Sequence, residues 1–475
     1  MPFDTKYSER SAGLPARLIS MTGKQRVYAT MRHENTDRVA WVPFAGIHAG
    51  KLAGYSATEV LTDEDKLFES LVKVNEAYKP DGQPIMFDLQ IEAEILGCEL
   101  MWAQNTPPSV KAHPLEGKAD VPSYMPKPED GRLPLALNTL KRLKNSEIGQ
   151  NTALYGLVCG PFTLASHLRG NDIFMDMIDQ PDYVKKLLAY TAEVAKAVAG
   201  YYIEAGADVV AIVDPLVSQI SPMHFAEFLN EGFTDVFAFI KQRWVFSSFF
   251  VCGNATRNIE EMCRTNPDCI SVDENIDMLS AKKTTDRYNI AIGGNIPLTS
   301  IMLYGSQQDN MKYVIDLLDA LDHHNLIISP GCDMPYDVPP ENVMGVQQAI
   351  EDTEAVRAML KNYTAQEEDI DIELPDYSSL KKPLIEVFTI DSATCAACGY
   401  MVDAVKVAKE HFGDKIDFVE YKAVNRENIY RIKKMGIKNL PCIFINGELK
   451  YSSIIPDRKE LFEEIERYIE QYERK

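Results

Sequence analysis

The most direct chemical signal in this 475-residue sequence is a pair of cysteines three positions apart, Cys395 and Cys398, in the stretch TCAACGY. They fall between an apolar run, LIEVFTI, and a stretch with helical periodicity, which puts Cys395 at a predicted helix N-terminus. Unpaired backbone N–H groups there favour a thiolate and lower a thiol's pKa. Cys395 is therefore the expected nucleophile, and Cys398, about one turn further in, the resolving thiol. A structural zinc half-site is the other chemistry such a pair supports; it needs a second ligand pair, and none is nearby in the sequence. A further group of polar and thiol residues stands just past apolar runs upstream: His48, Asp88, Cys159, Asp214, Cys252, Asp273, Asn295 and Cys332. Part of that concentration reflects the polarity of loops in general.

The runs that carry this second group read as strands: 39–45, 83–88, 152–158, 207–214, 245–251, 269–273, 289–294 and 325–330. Amphipathic stretches separate them. The best, 181–206, has apolar residues at three-to-four spacing and a glycine stop. Eight strand-then-helix units predict an α/β fold of the (β/α)8 barrel type, with chemistry at the C-terminal strand ends. An open doubly wound sheet is the competing arrangement, but no GxGxxG or GxxxxGK[ST] follows any strand, so nucleotide binding has no support. The acidic, proline-containing stretch 361–382 reads as a linker. It divides a barrel domain (1–360) from a small domain (383–475). Of the net charge of −21, nearly all lies on the first 382 residues, with 34 basic against 54 acidic side chains. That balance excludes a nucleic-acid partner, which would require a basic surface. No apolar run is long enough to span a bilayer, and the first residues lack the apolar core of a signal peptide. Nine scattered cysteines do not make a secreted disulfide framework. A cytoplasmic enzyme or binding protein is expected. Cys98, Cys263, Cys269 and Cys442 are expected to be buried structural thiols, and His323 and His324 surface residues.

The small domain reads β-α-β-α-β-β-α, with Pro441 in KNLPCIF just before its third strand. This element order, together with the CxxC and the proline, resembles the thioredoxin and glutaredoxin folds. The resemblance implies that Pro441 is cis and packs beside a redox-active Cys395–Cys398 pair.

Several stretches of the large domain resemble the uroporphyrinogen decarboxylase superfamily, in that family's order: MTGKQRVYATMRHENTDRVAWVPF, FDLQIEAEILGCEL (87–100), VCGPFTLASHLRG (158–170), VDENIDMLSAKK (272–283) and ISPGCDMPYDVPPENV (328–343). The match covers about residues 20–352 and implies a (β/α)8 barrel. Decarboxylases of the superfamily use arginines at the first strand end and an aspartate to handle a tetrapyrrole. Asp88 matches the aspartate, but FAGIHAGKLAG carries no arginine. The methylcobamide:coenzyme M methyltransferase branch binds zinc through a His-x-Cys and a distant cysteine, and FFVCGNAT and SPGCDMP match it at Cys252 and Cys332. The family histidine is Phe250 here, so either another residue is the third ligand, with His48 and Asp214 the best replacements, or the site is metal-free; the other readings are a substrate contact or satisfied core histidine for His48 and a helix cap for Asp214. Two thiolates and a third donor would leave an open position on the metal for a thiol or methylated heteroatom. The sequence contains no DxHxxG, the motif that carries a cobalt-ligating histidine, so any corrinoid is expected on a separate partner protein.

The resemblance therefore implies a corrinoid-dependent methyltransferase acting on a small methylated substrate or thiol, with Asp88, His48 and Asp214 lining the pocket and zinc at Cys252 and Cys332; the oligomeric state is left open, with a homodimer as one option. The rival enzymatic reading is a decarboxylase centred on Asp88. The rival non-enzymatic reading is a redox-controlled corrinoid- or tetrapyrrole-binding protein, silenced by Phe250.

Overall fold

The computed structural model describes residues 20–364, 372–390, 392 and 396–474. Each of the eight predicted runs forms a strand of one parallel sheet: β1 (Ala40–Trp41), β2 (Gly82–Pro84), β3 (Ala153–Cys159), β4 (Val209–Val213), β5 (Phe246–Val251), β6 (Cys269–Val272), β7 (Ala291–Ile296) and β8 (Leu326–Pro330). The sheet runs β2-β3-β4-β5-β6-β7-β8-β1, an eight-stranded barrel closed everywhere except for a regular ladder between β1 and β2. There the Asp81 N–H donates to the Trp41 carbonyl (2.8 Å), and the Trp41 N–H donates to the Asp81 carboxylate (2.7 Å). Asp81 is buried and also takes Arg26 and Arg38 as ion-pair partners. A side chain thus completes the seam that two short strands leave open. Both strands are shorter than their apolar runs. Pro43 ends the first and Pro84 the second, and proline has no N–H to give a ladder.

Residues of the strands alternate between two cores. Inward-facing Ala40, Tyr155, Leu157, Val209, Ala211, Phe250, Ala291 and Ile327 fill the barrel, while the outward residues pack against the surrounding helices. The longest of these helices, α1 (Pro181–Ala205), buries one face on β3 and ends on Gly206 in a left-handed conformation. Among the described residues no helix is long and apolar enough to cross a membrane.

The C-terminal residues form a second sheet of β9 (Leu384–Thr389), β10 (Asp417–Lys422), β11 (Cys442–Ile445) and β12 (Glu448–Ser452), in the order β10-β9-β11-β12. β9 runs parallel to β10 and antiparallel to β11. Helices α2 (Ala396–Phe412), α3 (Arg426–Lys434) and α4 (Arg458–Glu473) complete it, and Ile385, Val387, Val405, Ile443, Leu461 and Ile465 make its core. The Leu440–Pro441 peptide is cis. Part of the expected linker is packed on this sheet: the Tyr377 hydroxyl donates to Glu386 (2.9 Å), and Lys434 donates to the Ile372 carbonyl (2.7 Å).

The small sheet is docked over the C-terminal end of the barrel. Ser166 Oγ donates to the Tyr400 hydroxyl (2.6 Å), Asn254 Nδ2 donates to Asn439 Oδ1 (3.0 Å), and the Tyr304 hydroxyl donates to the Val424 carbonyl.

Candidate functional site

A cavity of about 600 Å3 lies between the barrel mouth and the small domain. Its floor comes from the loops after β2, β5, β6 and β8; its roof is Ile390, Val424, Leu440 and Pro441. The walls are mainly apolar and aromatic, with Phe87, Leu298, Tyr304, Met334 and Tyr336 among them, and no lysine or arginine lines it among the described residues.

Cys252 and Cys332 both open onto this cavity, and they are joined by a disulfide with Cα atoms 5.9 Å apart. Cys252 continues the inward face of β5, on which Phe246, Ser248 and Phe250 precede it at period two. Cys332 lies two residues past β8, which is three places round the barrel from β5. Phe250, two residues before Cys252, is fully buried directly beneath. Its ring packs 4.7 Å from Phe44 and 5.6 Å from Phe87, centroid to centroid. The position is a hydrocarbon plug in the barrel axis.

Neither expected third ligand reaches the two sulfurs. His48 is fully buried at the start of a short helix, outside the cavity lining. A ring protonated at Nδ1 donates to the Tyr336 carbonyl (3.1 Å) and accepts at Nε2 from the Tyr78 hydroxyl (2.6 Å), so both nitrogens are committed. Burial lowers its pKa to about 4 and keeps it neutral. Asp214 is also buried and caps the helix Pro161–Arg169. It accepts from the Phe162 N–H (2.8 Å), the Thr163 N–H (3.1 Å) and the Thr163 hydroxyl (2.6 Å). Its backbone approach requires Gly160, where a Cβ would lie 2.3 Å from that of Asp214. Asp88 is likewise absent from the lining: its carboxylate is paired with Arg132, which also holds Glu94 (2.7 Å) and stacks on Trp102. Among the described residues no group of three or more His, Cys, Asp or Glu is arranged to hold a metal. The donor set around Cys252 and Cys332 therefore does not fit a three-ligand catalytic zinc.

The polar groups that do face the cavity are different ones. Asp333, next to Cys332, accepts from the Gly46 N–H (2.7 Å), and enclosure raises its pKa to about 8. Gly46 permits the approach, since a Cβ there would sit 2.5 Å from Asp333 Oδ1. Asp273, one of the predicted strand-end residues, accepts from the Gly253 N–H (2.8 Å) beside Cys252, and burial raises its pKa too. Glu274 behind it is raised to about 8 by burial and by Asp273. Asp333 has a sequence signal in hindsight, because it directly follows a cysteine at a strand end. Of the other predicted strand-end residues, Asn295 donates to the carbonyls of Asp273 (3.1 Å) and Ile276 (2.8 Å), and Cys159 is buried in the outer core. Cys395 lies outside the described residues. Cys398 is fully buried in α2, and Pro441 is in the cavity roof.

The fold and mouth define an α/β-barrel protein whose site is assembled from loops at the C-terminal strand ends. Residues 22–353 match the uroporphyrinogen decarboxylase (URO-D) family, and the chain belongs to it. Among curated relatives it is 26% identical over 336 residues to the methylcobamide:CoM methyltransferase MtbA of Methanosarcina acetivorans, which spans 69% of this chain and 96% of that protein. It is 31% identical over 271 residues to the methylcobamide:CoM methyltransferase MtaA of Methanosarcina barkeri, covering 55% of this chain and 76% of that one. A uroporphyrinogen decarboxylase of Trichormus variabilis is 26% identical over 293 residues, covering 59% and 82%. The solved structure of a methyltransferase from Methanosarcina mazei superimposes with a TM-score of 0.64 at 24% identity over 70% of this chain and 99% of that one, which shows the shared barrel fold.

Proposed function

We propose that the barrel transfers a methyl group between a small methylated substrate or thiol, held in the cavity, and the cobalt of a separate corrinoid protein. The single observation that carries this reading is a cysteine pair set in the wall of a mainly apolar mouth that has no lysine or arginine among its described lining residues. Such a wall offers nothing to neutralise the carboxylates of a tetrapyrrole, which counts against the decarboxylase reading. Membership of the URO-D family and the two methylcobamide:CoM methyltransferase relatives support the same choice.

The partner's cobalt supplies the methyl-carrying centre. The chain's own contribution is enclosure and proton handling. Apolar walls exclude water from the substrate. The Asp333 carboxyl, protonated near neutral pH, gives its proton to the heteroatom that loses a methyl group, and takes one from a thiol in the reverse direction. The C-terminal domain is read as a thioredoxin-like module, on the strength of its CxxC, its mixed sheet and Pro441 beside the cavity.

The test is incubation of the full chain with methylcobalamin and a panel of small thiols, followed by the cobalamin absorption spectrum and analysis for thioether. Demethylation of the cobalamin with thioether formation is expected. Carbon dioxide release from uroporphyrinogen without any methyl transfer overturns the reading in favour of a decarboxylase.

A further inference from the structure

The mismatch between the cysteine pair and a metal centre has a positive counterpart. Cys252 and Cys332 follow strands separated by β6 and β7, 80 residues apart in sequence, and the fold brings their Cα atoms to 5.9 Å, within the range a disulfide requires. The inward-facing position two residues before Cys252 offers no donor: it is filled by the Phe250 ring, packed on Phe44 and Phe87. Both cysteines open onto the cavity, whereas the thiols of Cys98, Cys263, Cys269 and Cys442 are buried and pushed up to about 12. The pair therefore differs from the structural cysteines in access.

The other wall of the cavity belongs to the C-terminal domain. Leu440 and Pro441 line it. Asn254, two residues past Cys252, bonds Asn439, two residues before Pro441, so one hydrogen bond ties the cysteine's loop to the proline's loop.

We propose that Cys252–Cys332 is a redox-active disulfide, a two-electron site reduced by a dithiol that enters the cavity along the Leu440–Pro441 wall. A thiolate of the dithiol attacks one sulfur; the Cys252–Cys332 bond breaks and a mixed disulfide forms. The second thiol of the reductant attacks that mixed disulfide and releases the barrel cysteine. Two electrons pass to the pair, the two protons of the dithiol end on Cys252 and Cys332, and the reductant leaves as a disulfide. Two sources present this chemistry: a free dithiol, and the CxxC of this chain. Cys398 of that motif is described and Cys395 is not, so the proposed site consists of the barrel pair and the described wall alone. The proposal does not rest on methyl transfer, and its readout is a thiol count.

The experiment uses the full chain purified without reductant, alkylated natively before and after treatment with dithiothreitol, with the labels mapped by peptide mass spectrometry. Labelling of Cys252 and Cys332 only after dithiothreitol, reversed by oxidised glutathione, is expected. Labelling of both before any reductant overturns the proposal, as does finding them as a reduced pair holding one equivalent of zinc. A Cys252→Ser, Cys332→Ser double variant must lose the two dithiothreitol-dependent labels and no others. The source is read from Cys398→Ser, with Cys398→Ala as a folding control, at limiting dithiothreitol. Reduction of the pair slowed by about tenfold or more assigns the electrons to the chain's own dithiol, and an unchanged rate assigns them to the free one.

Discussion

Phe250 stands two residues before Cys252 on the inward face of the same strand, and its ring closes the barrel axis against Phe44, 4.7 Å away. This places hydrocarbon at the inward-facing position nearest Cys252 on its own strand.

Placing a metal donor there gives the first expected outcome. Phe250→His, with Cys252 and Cys332 kept reduced, should bind about one equivalent of zinc, where the parent chain binds far less; metal analysis after dialysis reads the difference. An imidazole in this aromatic pocket lacks a partner until metal arrives, so the metal-free variant should lose about 1–3 kcal/mol of stability. Equal zinc contents in the two proteins would mean that a different donor set holds the metal.

The buried Arg132–Asp88 pair gives the second. Arg132→Met leaves the Asp88 carboxylate buried without its cation and should cost about 3–5 kcal/mol, measured by urea denaturation. Adding Asp88→Asn removes the stranded charge and should recover a large part of the loss. Because Asp88 is absent from the cavity lining, Asp88→Asn alone should leave methyl transfer largely intact, whereas a decarboxylase centred on Asp88 would be abolished.

The barrel was legible in the sequence because parallel strands are buried on both faces and appear as unbroken apolar runs; all eight, from Ala40–Trp41 to Leu326–Pro330, overlap runs visible in the chain, with Gly82–Pro84, Ala153–Cys159 and Ala291–Ile296 each displaced by one or two residues. Cys252 and Cys332 were legible too, because strand ends set their direction. The partners of the remaining candidates were not. Asp88 is claimed by an arginine 44 residues away, Asp214 by a helix start some 50 residues earlier, and His48 by Tyr78 and by the Tyr336 carbonyl, 288 residues on. A strand-end position gives the direction of a side chain. It does not disclose a neighbour that arrives from a distant loop and satisfies the side chain before any substrate can.

His48 also sets a pH dependence. Its pKa is lowered from 6.5 to about 4, so between those values the unfolded chain binds a proton that the folded chain refuses. This contribution to stability is complete above about pH 6.5 and is lost as pH falls towards 4, on the order of 3 kcal/mol in all. Melting temperatures of the parent and His48→Gln should converge across that window, with the variant less stable at pH 7 and nearly matched at pH 4. A constant gap between the two curves would show that His48 does not titrate on unfolding.

The docked C-terminal domain bears on how a corrinoid could reach the site. A cobamide, with its corrin ring, side chains and nucleotide loop, is larger than a cavity of about 600 Å3, so a corrinoid protein meets the mouth only when the small domain moves off it. Two hydrogen bonds that hold the domain can be removed without touching the cavity lining, by Tyr400→Phe and Asn439→Ala. At about 1 kcal/mol each, their joint loss should raise the open population by about thirtyfold. Hydrogen exchange around residues 215–220 and 252–256 should accelerate accordingly. Methyl transfer from a protein-bound cobamide should rise by several-fold, while the affinity for a small thiol stays within about twofold. Faster exchange without any gain in transfer would mean that the domain leaves the mouth readily in the parent protein and does not limit access to the barrel.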